Sequence, residues 1–505
     1  MNLGAKLLLN WLAVGVGVLL SIVLYRMQLS ALGLRTLGTW LAISSLCGYL
    51  TLLELGLGAA INKYTATHTA LRDRARQEQL LSTALALYLG LAALVFIAGL
   101  VGSRLLGPLL RIPPDLLRQG QLAMLLLSLN IAASFVLGVW RGMVFGGGRT
   151  DLIALVTISR HLLYAVLVIA LLRQGGGFLS LAAAGLCADV ATGLVLAWLA
   201  RRIVPVSVRL AAPSLELARH LLRYCSSVLV ICVGQQLLRG APLPLIQRWV
   251  GPEAVSAYAP AERLAMLFFM LVGQMGMVMV PPVAAACAAN RELVRAALVR
   301  AGRLGIALGL PPLLMLLTLG EGLLIAWLGP AMTQSVLLLH LLGVALLAQL
   351  VSFGTDIGAY AVGGRRSYGL IKLVLGIACP GAVYLGIRLG STPGAALGCA
   401  LAIALCDGLL TPVAVCRALQ LRVADYYRGL LERGARLVLL LPLCALLLGP
   451  WQPKGLVAVL GAGMAGVCLG WLITSLLYLE EEDRSLLRSR LHLAPRVVAA
   501  VRESA

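Results

Sequence analysis

The chain has 505 residues, of which 60% are hydrophobic and 12% charged, and its formal net charge is +21. Soluble globular chains carry about 25% charged residues, so this composition excludes an ordinary soluble domain. Apolar runs of about 20 residues recur from end to end, each long enough to cross roughly 30 Å of hydrocarbon. Neither the polar helix faces of a soluble repeat array nor the period-2 alternation of a β-barrel is present.

The first run, 7–29, follows Lys6 and has no small-residue cleavage site after it, so it reads as a retained span. Cutting the chain at charge clusters and Gly/Pro breaks gives fourteen candidate spans. They are 7–29, 37–60, 80–101, 121–143, 151–172, 178–200, 224–248, 255–287, 303–327, 333–362, 369–389, 393–416, 435–450 and 455–479. The expectation is an all-α polytopic membrane protein of about 14 transmembrane helices. An even number of spans puts both termini on one side. Of the 41 basic residues, 28 fall in segments on the side of the termini, nine on the other side, and Arg160, Arg239, Arg263 and Lys372 within spans. Positive charge collects on the cytoplasmic side, so both termini are expected there, in a bacterial inner membrane.

The basic excess therefore reads as topology signal and attraction to anionic lipid, and no nucleic acid is needed to explain it. No basic tract is interleaved with aromatics as a nucleic-acid groove requires. The external loops are too short for a catalytic domain. The cytoplasmic links 201–223 and 417–434 look like amphipathic interfacial helices. The tail from Glu480 onward is expected to lie on the inner leaflet. All eleven cysteines fall in or beside apolar runs without a CxxC pair, which indicates small buried hydrophobes and neither metal nor disulfides.

Two Gly-Arg turns reveal a duplication. Val144-Phe145-Gly146-Gly147-Gly148-Arg149 leads into Leu152-Ile153-Ala154-Leu155-Val156, and Val362-Gly363-Gly364-Arg365-Arg366 leads into Leu370-Ile371-Lys372-Leu373-Val374. From Leu152 to Leu370 the offset is 218 residues, and the same offset carries Trp40 onto Tyr258 and Asp189 onto Asp407. Six spans per repeat is even, so the copies share one orientation and should be related by a pseudo-two-fold axis along the membrane normal. The expected organisation is a six-helix lobe over 1–210, a second over 211–430, two further helices over 431–479 and a cytoplasmic tail over 480–505. A ligand would bind between the lobes near the bilayer midplane.

Several further motifs carry a resemblance. Asn10 lies in the first span and Leu37-Gly38-Thr39-Trp40 opens the second. Glu54-Leu55-Gly56-Leu57-Gly58 and Asn62-Lys63-Tyr64 close it, Ala257-Tyr258 with Glu262-Arg263-Leu264 opens the eighth, and Val280-Pro281-Pro282 breaks that span. Over residues 1–430 this pattern resembles the Wzx-type oligosaccharide/polysaccharide flippases of the multidrug/oligosaccharidyl-lipid/polysaccharide exporter superfamily. Two departures stand out: Glu54 takes a place where aspartate is expected, and fourteen spans replace the twelve of many such flippases. The resemblance implies two six-helix lobes, alternating access and export of a lipid-linked sugar without ATP hydrolysis.

Charges within spans cost about 2.5–3.5 kcal/mol each on insertion scales, so they must be paired or line water. Arg239 is the sharpest candidate for gripping a diphosphate. It follows Gln235 and Gln236 in a segment that Gly240, Pro242 and Pro244 break, and a guanidinium offers phosphate two parallel hydrogen bonds. Its bland alternative is an ion pair with Asp189 or Glu262. Arg160, Arg263 and Lys372 are further substrate-binding candidates, with snorkelling to the cytoplasmic surface as the alternative for Lys372. Gln235 and Gln236 could hydrogen-bond sugar or serve as helix–helix glue. Asp189 and Asp407 read either as coupling-ion sites or as structural cross-links within each lobe. Glu54 and Asp356 could gate by pairing with Lys372 or Arg149.

No nucleotide loop, HExxH helix or GxSxG turn appears, and neither an enzyme nor a cofactor is expected. The reading is a flippase that carries a polyprenyl-diphosphate-linked oligosaccharide to the outer leaflet, for cell-surface polysaccharide such as lipopolysaccharide. Glycosyltransferases or a polymerase are candidate partners. The alternatives are an organic-cation antiporter of the same superfamily, which the three arginines would oppose, and a non-transporting scaffold of a polysaccharide assembly complex.

Overall fold

The computed structural model describes residues 3–54, 56–71, 73–203, 213–277, 279–289, 291–362, 365–432 and 455–479. Among these every regular element is helical. In chain order they are α1 (Leu3–Gly48), a 3₁₀ stretch (Tyr49–Glu54), α2 (Leu57–Ala70), α3 (Arg74–Leu110), α4 (Pro114–Gly146), α5 (Thr150–Arg173) and α6 (Leu179–Ile203). Then follow α7 (Leu215–Gly240), α8 (Pro242–Trp249), α9 (Pro252–Met277), α10 (Val280–Ala289), α11 (Arg291–Thr318) and α12 (Gly320–Leu328). After a 3₁₀ turn (Pro330–Met332) come α13 (Gln334–Val362), α14 (Arg365–Ile403), a π-helical segment (Ala404–Leu410), α15 (Thr411–Ala418), α16 (Val423–Leu431) and α17 (Leu456–Leu477).

Among the described residues, eleven helical runs are long and apolar enough to span a membrane. Two of them are of double length, Leu8–Glu54 and Ser367–Ala418. The first breaks at Gly33, whose φ of 71° and ψ of 170° suit glycine, and the second at Gly390–Ser391, just before Pro393. Thirteen of the fourteen expected spans therefore lie on described helices. The remaining one, 435–450, falls outside the described residues, as does the tail from residue 480. The chain is a multi-pass membrane protein.

The helix breaks are satisfied by side chains from distant elements. A buried carbonyl without a donor costs about 1–3 kcal/mol, so each break needs a partner. Ser256 Oγ donates to the carbonyl of Leu34, beside the Gly33 break, at 2.6 Å. Ser45 Oγ donates to the Gly240 carbonyl at 3.1 Å, where α7 stops before Pro242. Pro311 and Pro312 lie inside α11 and lack the N–H groups that would reach Ala307 and Leu308. Those carbonyls accept from Thr474 Oγ1 at 3.1 Å and Trp471 Nε1 at 2.9 Å, both on α17. The last described helix is thereby fastened to the point where α11 has lost its own ladder.

Contacts divide the chain into two compact units. One comprises Met1–Ala259 with Lys372–Gly398, and the other Pro260–Ile371 with Cys399–Ala505. The first continues past residue 210 through α7, α8 and the start of α9. Its core brings together Leu57, Ile61, Leu80, Tyr88, Phe135, Val139 and Met143 from α2, α3 and α4. In this unit α7 approaches α14 backbone to backbone: a Cβ on Gly234 would lie 2.6 Å from Leu373 N, and one on Gly376 would lie 2.6 Å from Gly234 O. The second unit packs Leu298, Leu304, Leu313 and Leu314 of α11 against Leu346, Leu350 and Phe353 of α13. Cys187, Cys232 and Cys468 are exposed, so these three depart from the expected burial.

Candidate functional site

In the first unit, α4, α5 and α6 enclose a groove of about 290 Å³. Helical periodicity builds its walls, since residues three, four and seven apart share a face. Ser134, Gly138 and Arg141 come from α4, Ile153, Thr157 and Arg160 from α5, and Asp189, Gly193 and Leu196 from α6. Gly193 permits the close approach of α6 to α4, because a Cβ there would lie 3.0 Å from Leu137 Cγ.

The centre of the groove is an ion pair between Arg160 and Asp189. Arg160 Nε donates to Asp189 Oδ1, and Arg160 Nη2 donates to Oδ2 at 3.1 Å. This is the fork-to-fork arrangement that makes arginine–carboxylate pairs strong. Asn130 Nδ2 adds a third donor to Oδ2 at 2.9 Å, so one carboxylate ties α4, α5 and α6 together. Asn130 Oδ1 is buried without a hydrogen-bond partner among the described residues. The Arg160 side chain keeps 38% exposure and that of Asp189 17%, so the guanidinium is the more open of the two to the groove. Arg141 lines the same groove, which therefore holds two guanidiniums and one carboxylate.

The other sequence-derived candidates sit elsewhere. Arg239, Gln235 and Gln236 are half-buried in the last turns of α7, at the break that Gly240 and Pro242 impose. The Gln236 amide lies against Gly48 and Gly240, where a Cβ would come within 3.2 and 2.8 Å of Nε2. Asp189, one alternative partner for Arg239, is occupied by Arg160 and Asn130. Arg263 is half-buried on α9. Lys372 is only 4% exposed, which corrects the snorkelling alternative: α14 meets α7 closely here, and the ammonium is enclosed. Arg239, Arg263 and Lys372 each make polar, ring or electrostatic contacts.

Of the acidic candidates, only Asp189 lines this groove. Asp407 is 4% exposed and lies in the π-helical segment, a distortion frequent at functional sites. Asp356 accepts from Ser352 Oγ at 2.9 Å. Glu54 accepts from the Tyr88 hydroxyl at 3.1 Å. Arg149, one suggested gating partner of Glu54 and Asp356, is instead held by Asp151. Its Nη2 reaches Asp151 Oδ2 at 3.0 Å and its Nε reaches Oδ1 at 3.1 Å, and this hydrogen bonding raises the guanidinium's hold on its proton. Lys6 Nζ donates to the Gly148 carbonyl of the same turn at 2.6 Å. The first Gly-Arg turn is thus a closed hairpin pinned to the start of α1.

Sequence reasoning missed Arg141 as a groove residue, because it was counted with the loop charges. It also missed Asp151 as the partner of Arg149, although the two are separated by one residue. The Lys6–Gly148 contact carries no local sequence signal.

The fold is that of an all-helical, multi-pass membrane protein with a fork-paired, half-buried charge beside an open groove. The chain belongs to the family described as Polysaccharide biosynthesis protein, which it matches over residues 3–286. Solved structures share the fold. The lipid II flippase MurJ in an inward closed conformation is 12% identical with a TM-score of 0.71, covering 95% of this chain and 100% of that one. An inward-facing MATE multidrug resistance transporter of the MOP superfamily is 20% identical with a TM-score of 0.62, covering 76% and 94%. A MOP superfamily transporter from Pyrococcus furiosus, described as having a binding pocket of reversed polarity, is 19% identical with a TM-score of 0.58, covering 84% and 96%. No curated protein matches the chain.

Proposed function

We propose that this protein is a flippase that moves a polyprenyl-diphosphate-linked oligosaccharide from the cytoplasmic to the outer leaflet of a bacterial inner membrane, for cell-surface polysaccharide synthesis. The observation that carries the reading is the fork-paired Arg160 facing an open groove within a chain of the polysaccharide biosynthesis family. A diphosphate can share or exchange the guanidinium with Asp189, because both present paired oxygens at similar spacing. Arg141 supplies a second cation in the same groove, and Ser134, Thr157 and Thr192 line it as candidate hydrogen-bonding partners.

In this reading the duplication at 218 residues gives two six-helix lobes, 1–210 and 211–430, which alternate access to the cargo. Residues 431–479 lie outside the duplication. Arg239, Arg263, Lys372, Gln235 and Gln236 contribute further contacts to diphosphate or glycan, while Asp407, Asp356 and Glu54 serve ion coupling or gating. The 28-to-9 bias of basic residues supports cytoplasmic termini. Glycosyltransferases supply the cargo and a polymerase consumes it. Two negative charges leaving a cell about 100 mV negative inside release roughly 4–5 kcal/mol, so lobe motion can be driven without nucleotide hydrolysis.

The test uses purified protein in vesicles with a labelled polyprenyl-diphosphate oligosaccharide, with and without a membrane potential. Translocation that depends on the protein and falls in Arg160→Gln supports the reading. Absence of movement under every gradient, or export of an organic cation that Arg160→Gln improves, refutes it.

A further inference from the structure

A second charged groove, of about 400 Å³, lies in the other unit between the first turns of α11 and helix α16. Four guanidiniums line it, from Arg295, Arg300 and Arg303 on α11 and Arg428 on α16, with the carboxylates of Glu292, Asp425 and Glu432. The walls are fixed. A Cβ on Gly302 would lie 2.7 Å from Leu430 Cδ2 and one on Gly429 2.7 Å from Val299 Cγ1, so two glycines seat α16 directly on α11. Hydroxyl groups hold the helix in place: Tyr426 donates to the Val351 carbonyl at 2.8 Å and Tyr478 to the Leu430 carbonyl at 2.9 Å. Arg303, with its side chain 12% exposed, donates Nε to the Gly429 carbonyl at 2.9 Å.

Two cross-groove ion pairs are loose. Arg295 Nη1 stands 3.7 Å from Asp425 Oδ2, and Arg303 Nη2 stands 3.8 Å from Glu432 Oε2. Both exceed the 2.7–3.2 Å of a hydrogen bond, so the carboxylates offset charge without sealing the groove. Sequence places this cleft at the end of the membrane spans. The proline-bearing, strongly apolar half of α11 follows Arg303, and α16 begins five residues after the apolar run that closes at Ala418. Helix α16 buries Tyr426 and Leu430 and exposes Arg428, as a helix lying at the headgroup level would.

We propose that this groove is a binding site for a phosphate group presented at the membrane surface, held between Arg300 of α11 and Arg428 of α16. Guanidinium forks match phosphate oxygens in geometry as well as charge. The neighbouring carboxylates are acceptors, suited to the hydroxyls of a glycerol or sugar ester. A phosphatidylglycerol headgroup and the phosphate end of a soluble or carrier-linked sugar ester both carry this chemistry. The site is independent of the transport reading, because its occupancy can be measured without turnover.

The experiment is native mass spectrometry of the full chain in detergent, with phosphatidylglycerol or phosphatidylcholine added and with inorganic pyrophosphate as competitor. The wild type should retain phosphatidylglycerol over phosphatidylcholine, and Arg300→Gln with Arg428→Gln should weaken that retention at least about tenfold, as expected for hydrogen bonds to a charged group. Arg428→Lys, which keeps the charge and loses the fork, should fall between. Arg422→Gln, six residues before Arg428 and outside the groove, should leave it unchanged. Competition by pyrophosphate assigns the site to phosphate esters generally, and lack of competition assigns it to the lipid headgroup. If the double variant loses its thermal transition, Arg428→Gln alone carries the comparison, since that side chain is exposed. Undiminished phosphatidylglycerol retention in the groove variants, or equal binding of the two lipids, overturns the proposal.

Discussion

Replacing Asp189 with asparagine leaves Arg160 facing Asn130 and the new amide with no counter-charge. Removing one member of a fully buried ion pair costs about 3–5 kcal/mol. Here the Arg160 side chain is 38% exposed and that of Asp189 17% exposed, so solvent screens part of the loss and about 2 kcal/mol is expected. Arg160→Gln should cost a similar amount by leaving the carboxylate with Asn130 alone. The double variant replaces the charged pair with two amides that can bond one another. It should recover much of the loss, for a coupling energy of about 1–3 kcal/mol.

Thermal unfolding in one detergent, with all four proteins, measures this cycle. Translocation of the lipid-linked oligosaccharide in vesicles separates structure from cargo contact. If Arg160 touches the diphosphate, the double variant regains stability but remains about 10- to 100-fold impaired, the worth of a charge-assisted hydrogen bond. If the pair serves the helix bundle alone, transport returns with stability. Strictly additive losses in the double variant would refute the assigned pairing itself.

The carbonyls freed by Pro311 and Pro312 make α17 sensitive to small changes. Thr474→Val, which keeps the shape and removes the donor to Ala307, should cost about 1–3 kcal/mol in thermal unfolding. Gly234→Val should also destabilise the fold, by about 1–3 kcal/mol or more, because its Cβ would press on the backbone of Leu373. A melting curve unchanged from wild type would mean that α7 and α14 stand further apart than described. Asp151→Ala removes the partner of the Arg149 guanidinium, and because that side chain is 47% exposed the melting temperature should barely move. Its clearer readout is faster amide hydrogen exchange at Gly147–Thr150, with exchange elsewhere in α5 unchanged.

Much of the membrane architecture was legible because its causes are local. Hydropathy acts over the 20 or so residues that cross the bilayer, so thirteen spans fall on described helices. Glycine and proline act on their own backbone. Hence the interruption near Gly240–Pro242 and the separation of 369–389 from 393–416 followed from composition alone. The candidate site was legible in kind only. Arg160 and Asp189 stood out as charges in apolar runs, yet sequence left Asp189 open to Arg239, offered Lys372 a route to the surface and offered Arg149 to more distant carboxylates.

By itself, then, the sequence determined the class of protein, the order and breaks of its spans, and which few residues carry charge into the membrane. Tertiary structure decided what each charge meets. Spans apolar on nearly every side give no polar face from which their rotation can be read, so periodicity does not say which helix a buried group will face. Asp189 finds Arg160 and Asn130 on two other helices, 29 and 59 residues away. The carbonyls exposed by Pro311 and Pro312 find Thr474 and Trp471 only after 167 and 163 residues of chain. Such contacts exist because a buried polar group must be satisfied by whatever packing brings within about 3 Å, and packing is settled only when the whole chain is folded.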